Sequence, residues 1–210
     1  VEEKGIHSIE KFLIARRLMY WQVYLHKTVL SAELMLVKIL QRARELVHRS
    51  ETLFATPALQ FFLEKQYSLA DFQSIPNCLE EFLKLDDVDL VASIKVWGSH
   101  PDKILSDLCT RLVNRRLFAV RFLGQEGNED ILLMRDKVQQ DFGLTEEELA
   151  FYFIHDTTAN FTYNAGDERI KIAFKSGEVR EITEVENTLI SAALLVPVKK
   201  PYICFLSQKK

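Results

Sequence analysis

One run near the start of the chain combines two kinds of side chain that bind nucleotides. On a helix advancing about 100° per residue, Arg16, Tyr20, Tyr24 and Lys27 fall on one narrow face. An arginine fork suits a phosphate, and a tyrosine ring stacks on a sugar or a base. The face could therefore line a nucleotide pocket. The alternative is that the tyrosines pack in the core with the cations at its rim, since aromatic stripes on helices are mostly packing.

A long helix must position these residues, and the sequence predicts one over 8–48. Ser8 is a suitable N-cap, no Pro or Gly interrupts the run, and apolar residues recur at spacings of three and four. Further helices are predicted over 57–64, 76–83, 87–96, from Pro101 through Leu112, 130–142 with a stop at Gly143, and 188–195. Strands are predicted over 117–123, 151–154, 161–163, 170–174, 178–182 and 202–206, with a turn at 175–177 and a capping box from Thr145 to Glu148.

This order of elements predicts an α+β fold. A mainly helical N-terminal lobe with one long helix precedes a smaller α+β lobe with an antiparallel sheet. We place the helical lobe at residues 1–116 and the second lobe, for assembly or regulation, at residues 117–210. Five of the seven glycines follow Leu123, as does the strand-like alternation, which supports that division.

The composition argues against several classes of function. The 210 residues carry 27 Lys+Arg against 30 Asp+Glu, a net charge of -3, so no basic field favours nucleic acid. The longest apolar stretch, 189–198, is far shorter than the roughly 18 residues of a membrane helix. Three scattered cysteines without a CxxC pair suit buried thiols in a reducing compartment, so we expect a cytoplasmic location. Val1 is not a methionine, and we expect a fragment of a longer protein.

The segments 9–17 and 24–27 resemble the long helix that follows the metal site in the deoxynucleoside triphosphate triphosphohydrolases of the HD superfamily. The family pattern there is an Arg, a His four residues on, and then Tyr-Gln-His-Lys. Tyr20 stands at the His position and Leu25 at the Gln position of the family's animal member. Weaker similarities at 85–89, 99–102, 114–118 and 141–144 spread the resemblance over nearly the whole chain.

The resemblance implies roles for individual residues. Arg16 matches the arginine that holds the substrate triphosphate, and Tyr24 matches the tyrosine that packs on the deoxyribose. Tyr20 would line the same pocket. Lys4 and Lys27 align with lysines that face regulatory nucleotides. The family's oligomers imply self-association through the long helices.

The family's metal ligands, a His, a His-Asp dipeptide and a distant Asp, lie upstream of that helix. Among five histidines here only His155-Asp156 forms such a dipeptide, late in the chain and without partners at matching spacing. We interpret it as a coincidence, because a metal site needs several ligands from suitable positions. We therefore expect no catalytic residue and no metal ligand in this chain, and a divalent metal held elsewhere in the full-length protein.

Together these observations predict the C-terminal part of a metal-dependent phosphohydrolase acting on deoxynucleoside triphosphates, inactive by itself. One alternative is a non-catalytic interaction module, which burial of both tyrosines and a carboxylate partner for Arg16 would favour. A less favoured alternative is a nucleic-acid-binding module on the sheet. A contiguous exposed patch that joins Arg169, Lys171, Lys175 and Arg180 with exposed aromatic residues would favour it.

Overall fold

The computed structural model describes residues 1–124, 127–160, 169–185 and 198–208. The α-helices are α1 (Ile6–Met19), α2 (Lys27–His48), α3 (Pro57–Glu64), α4 (Leu69–Ser74), α5 (Pro76–Lys84), α6 (Asp87–Trp97), α7 (Lys103–Val113), α8 (Asn128–Phe142) and α9 (Glu146–Tyr152). The strands are β1 (Ala119–Phe122), β2 (Phe153–Asn160), β3 (Lys171–Ala173), β4 (Val179–Glu181) and β5 (Val198–Phe205). Two 3₁₀ turns, Glu3–Gly5 and Ile182–Glu184, and a π-helical turn, Tyr20–Tyr24, complete the described elements.

The predicted α+β class is confirmed, with a helical N-terminal part and a smaller C-terminal part that contains an antiparallel sheet. β3 and β4 pair antiparallel, with Ile172 opposite Arg180, and the other sheet has the order β1-β5-β2. The turn predicted between β3 and β4 is present. Gly177 there has a φ of +85°, a conformation that glycine adopts without steric cost.

The helix predicted over 8–48 is divided rather than continuous. α1 begins two residues earlier than predicted, after Gly5, without a side-chain cap. The π-helical turn follows α1, and α2 begins only at Lys27. No proline or glycine causes the division. Instead the amide of Leu25 donates to the carbonyl of Tyr20 at 2.7 Å, a bond spanning five residues, and Leu25 leaves the helical region with φ -99° and ψ 17°.

Other boundaries differ for local reasons. Residues 151–152 end α9 instead of starting a strand, because the Thr145–Glu148 capping box nucleates a helix of seven residues. α7 begins at Lys103, after Pro101, because Asp102 caps it by accepting from the amide of Leu105 at 2.8 Å. α4 was not predicted, although Ser68 and Asp71 form a capping box at its start. The elements predicted over 161–163 and 188–195 lie outside the described residues.

The chain forms two compact units, each assembled from separate segments. Unit 1 comprises Val1–Leu30, Val120–Gly127 and His155–Ile203. Unit 2 comprises Ser31–Ala119, Asn128–Ile154 and Cys204–Lys210. The division predicted at residue 116, between a helical lobe and an α+β lobe for assembly or regulation, stays a prediction. In the described part of the chain, no helix is both long and apolar enough to cross a membrane.

The core of unit 1 fixes the orientation of α1. Ile6 and Leu13 of α1 are buried in one cluster with Ile172 of β3 and Ile182 of the second 3₁₀ turn. Glu10, between them on the same face, is fully buried and its carboxylate lies 2.9 Å from Nδ1 of His7. One face of α1 therefore packs in the core.

The core of unit 2 surrounds a buried arginine. Its largest fully buried side chains are Trp97, Met35, Ile39, Leu46, Leu105, Leu108 and Leu149. Arg42 of α2 is only 5% exposed and contacts three carboxylates. It binds Asp102 through Nε at 3.2 Å and Nη2 at 2.7 Å, and its Nη1 lies 2.8 Å from Glu45 and 3.1 Å from Glu147. The guanidinium thus joins α2, the start of α7 and α9.

The Arg42 network predicts a specific acid sensitivity. Burial raises the pKa of Asp102, but hydrogen bonds from Arg42 and from the amide of Leu105 outweigh burial and hold that pKa below its usual range. A carboxyl group whose folded-state pKa is depressed stabilises the fold above its unfolded pKa of about 3.9, and that stabilisation disappears as the pH falls through the folded value.

We expect Asp102→Asn to lower the free energy of unfolding by about 2–4 kcal/mol at pH 7, because it leaves the Arg42 charge buried without its main partner. Asparagine can still cap α7, so the lowered free energy of unfolding measures the effect of removing the negative charge. Glu45→Gln, whose side chain is 43% exposed, is the control and should cost less than about 1 kcal/mol. Urea unfolding at pH 7 and at pH 3 measures both variants. A deficit of Asp102→Asn that stays the same at both pH values contradicts the assignment.

Candidate functional site

Arg16, Tyr20 and Tyr24 form a continuous surface, here called the Arg–Tyr face. Nη2 of Arg16 donates to the hydroxyl of Tyr20 at 3.5 Å, and its Cζ lies 5.3 Å from the centre of the Tyr20 ring. The rings of Tyr20 and Tyr24 have centroids 5.1 Å apart and are tilted by 48°. The three side chains that spacing placed on one face are therefore in contact.

The Arg–Tyr face is accessible. Arg16 is exposed, Tyr20 is half-buried and Tyr24 is 48% exposed. Among the residues that the structure describes, the guanidinium of Arg16 has no carboxylate partner, and its contacts are with Tyr20. An unneutralised, accessible guanidinium beside two aromatic rings can bind an anion that carries a flat or apolar group.

The π-helical turn contains both tyrosines of the face. In a regular α-helix, residues four apart are already neighbours, offset by about 40° around the axis. A π turn spreads each turn over more residues, which changes this offset but leaves Tyr20 and Tyr24 adjacent, with ring centroids 5.1 Å apart. Single π turns inside helices are frequent at functional sites.

Lys27 and Lys4 lie apart from these contacts. Lys27 follows the break between the helices, and its Nζ is 5.9 Å from the centre of the Phe122 ring. His26, beside it, accepts a hydrogen bond at Nδ1 from the amide of Thr28 at 3.3 Å and so satisfies an amide at the start of α2. Lys4 is exposed and paired with Glu2 at 2.7 Å. The predicted regulatory contacts of Lys4 and Lys27 stay predictions.

The His155-Asp156 dipeptide lies on β2 with both residues exposed. The Asp156 carboxylate accepts from the amide of Thr157 at 2.7 Å and from the hydroxyl of Tyr202 at 3.5 Å. In the described ranges, no three His, Cys, Asp or Glu side chains come together in a way that could hold a metal ion.

The structure bears on the observations that would favour the two alternatives. Burial of both tyrosines would favour the interaction module, but Tyr20 is half-buried and Tyr24 is exposed. In the basic patch proposed for nucleic acid, Glu178 binds Arg180 through two hydrogen bonds of 2.6 and 2.8 Å. The Arg180 guanidinium also covers the Phe174 ring at 5.5 Å, which removes an aromatic surface from that patch.

Two arginines of α2 make polar contacts that the sequence analysis did not predict. The buried charge of Arg42 is neutralised by carboxylates. The sequence indicates one of these partners, Glu45, which follows one helical turn later. Arg44 is half-buried, donates to the carbonyl of Phe62 at 3.0 Å, and has an enclosed Nε without a hydrogen-bond partner among the described residues. The spacing to Glu45 marks Arg42 as a paired residue, but no local signal marks Arg44.

The chain is similar to a known protein family and to proteins of two bacteria. A family model described as the HD associated region matches residues 1–57, which include the Arg–Tyr face. The crystal structure of a phosphohydrolase (BT4208) from Bacteroides thetaiotaomicron VPI-5482 superposes with a TM-score of 0.82 at 41% identity over 99% of this chain. The protein YwfO of Bacillus subtilis (strain 168) is 29% identical over 192 residues, 87% of the chain.

The chain spans 52% of the length of the Bacteroides protein and 41% of the length of the Bacillus protein. The matched family region and the structural likeness to a phosphohydrolase associate the chain with the HD-superfamily phosphohydrolases.

If the Arg–Tyr face serves binding, removing it should leave the fold intact. We expect Arg16→Ala and Tyr24→Ala each to change the free energy of unfolding by less than about 1 kcal/mol, because both side chains are exposed. Leu13→Ala, on the buried face of the same helix, should cost about 2–5 kcal/mol. Urea unfolding compares the three. A loss at Arg16 as large as that at Leu13 would show that the face is structural.

Proposed function

We propose that the chain is the C-terminal part of a metal-dependent HD phosphohydrolase whose substrates are deoxynucleoside triphosphates. The observation that carries the proposal is the accessible Arg–Tyr face, in which a guanidinium without a carboxylate partner among the described residues adjoins two tyrosine rings that contact each other. Its position inside the matched HD associated region supports it.

Each side chain of the face has a part in this proposal. Arg16 binds the polyphosphate by charge-assisted hydrogen bonds, which suit a planar guanidinium. Tyr24 packs on the sugar, and Tyr20 holds the guanidinium toward the pocket through its ring and hydroxyl. Positive groups of this kind stabilise charge that develops on a phosphate during hydrolysis.

A divalent metal would supply the activated water in such an enzyme. The described side chains of this chain form no ligand group for it, so we place the ligands in another part of the full-length protein. This chain then contributes substrate contacts and the scaffold that holds them.

We also propose that the full-length protein self-associates through the N-terminal helices. Phe12, Met19 and Val23 are 63%, 49% and 51% exposed. With about 100° per residue they lie beside Arg16 on one side of the helix, an apolar stripe suited to a protein partner. Light scattering on the full-length protein tests this, and a monomer at micromolar concentration would contradict it.

The substrate proposal predicts a selective loss of activity. In the full-length protein with a divalent metal, Arg16→Gln should lower kcat/KM for deoxynucleoside triphosphates by about 100-fold, because an ion pair with the triphosphate is lost. Lys11→Gln, which removes an exposed charge five residues earlier on α1, is the control and should stay within about twofold.

Two results would contradict the proposal. One is unchanged kcat/KM in Arg16→Gln together with a folded protein. The other is robust turnover by the 210-residue chain alone with added metal, which would place the catalytic groups within it.

A further inference from the structure

Unit 2 contains a cavity that the proposed phosphohydrolase chemistry does not use. It has a volume of about 580 Å³ and opens between α2, α3 and the start of α6. Its wall is mainly apolar, with Leu40, Leu59, Phe62, Leu63, Leu85 and Leu90 as the main contributors. Pockets for small molecules commonly have volumes of about 300–1,000 Å³ and mostly apolar walls with few polar groups. The cavity therefore has the size and lining of a ligand site.

The polar group that distinguishes this wall is Arg44. It lines the cavity, is half-buried, and makes one hydrogen bond, from Nη2 to the carbonyl of Phe62 at 3.0 Å. Its Nε is enclosed and has no partner in the part of the chain that the structure describes. Because this Nε is sealed, a ligand in the cavity meets the outer nitrogens of the guanidinium, which carry a positive charge and can donate to an anion.

Arg42, two residues earlier, provides an internal comparison. Its guanidinium is equally part of α2 but is neutralised by Asp102, Glu45 and Glu147. Glu45 also lines the cavity, yet its carboxylate is bound by Arg42 at 2.8 Å. His48, at the same wall, lies 3.1 Å from the carbonyl of Glu64. The described polar groups of the wall therefore leave the positive charge of Arg44 without a matching carboxylate.

We propose that this cavity binds a small monocarboxylate with an apolar body, such as a medium-chain fatty acid. The carboxylate pairs with the Arg44 guanidinium through a charge-assisted hydrogen bond, and the apolar body covers the leucine and phenylalanine wall. One guanidinium balances one negative charge. A phosphate group would bring a second charge into an apolar cavity without compensation. The site is separate from Arg16, Tyr20 and Tyr24, so it would act beside the proposed nucleotide chemistry.

Isothermal titration calorimetry of the 210-residue chain with decanoate and decanol tests the proposal. The two probes share an apolar chain and differ in the charged head. We expect decanoate to bind at least about tenfold more tightly than decanol, the gain typical of a hydrogen bond to a charged group. Arg44→Gln, which removes the charge but keeps a polar side chain, should remove that difference and leave decanol binding within about twofold.

Two further variants test whether binding depends on Arg44 and on the cavity itself. Arg49→Gln removes an arginine of α2's C-terminal end that pairs with Glu147 outside this wall, and it should leave decanoate binding unchanged. Leu90→Phe fills the cavity and should weaken both probes by about tenfold or more while the circular dichroism spectrum stays native. Equal affinity of the two probes, no binding of either, or an equal loss in Arg44→Gln and Arg49→Gln would overturn the proposal.

Discussion

The anchoring of α1 in the core of unit 1 is the constraint on which the candidate site depends. Ile6, Leu13 and Glu10 are buried on one side of this helix, against Ile172 and Ile182 in the first two cases. Tyr20 follows Leu13 by seven residues, about two turns, and so continues the same side. Leu13 is the last residue of α1 in the buried cluster, whereas Tyr20 is half-buried and Arg16 and Tyr24 are exposed. The apolar contacts of unit 1 therefore hold the first turns of α1 and leave the Arg–Tyr face accessible.

Arg16, Arg42 and Arg44 differ in whether nearby carboxylates neutralise their charge. Arg42 is buried and surrounded by three carboxylates, so its charge is used for stability. Arg16 is accessible and has only Tyr20 as a contact among the described residues. Arg44 is intermediate, half-buried beside an apolar cavity. Because an arginine stays charged in proteins, the partners that the fold supplies decide whether each one holds the structure or is left for a ligand.

Much of the fold follows from local chemistry that spacing reveals. Pro57 and Pro76 begin α3 and α5 as predicted, Gly143 with a φ of +61° ends α8, and the Thr145 capping box begins α9. The interruption between α1 and α2 could not be predicted, since neither proline nor glycine marks it and the five-residue bond from Leu25 to Tyr20 has no compositional signal. The grouping of Arg16, Tyr20 and Tyr24 was predictable from periodicity. The different surroundings of Arg42 and Arg44 were not, because they depend on contacts with residues far along the chain.

The central claim is that the Arg–Tyr face contacts a nucleotide in the full-length protein. A crystal structure of that protein with a non-hydrolysable deoxynucleoside triphosphate tests it most directly. The account predicts a triphosphate oxygen within about 3.2 Å of the Arg16 guanidinium and the deoxyribose against the Tyr24 ring. A nucleotide bound elsewhere, with Arg16 and Tyr24 covered by protein side chains, would contradict it.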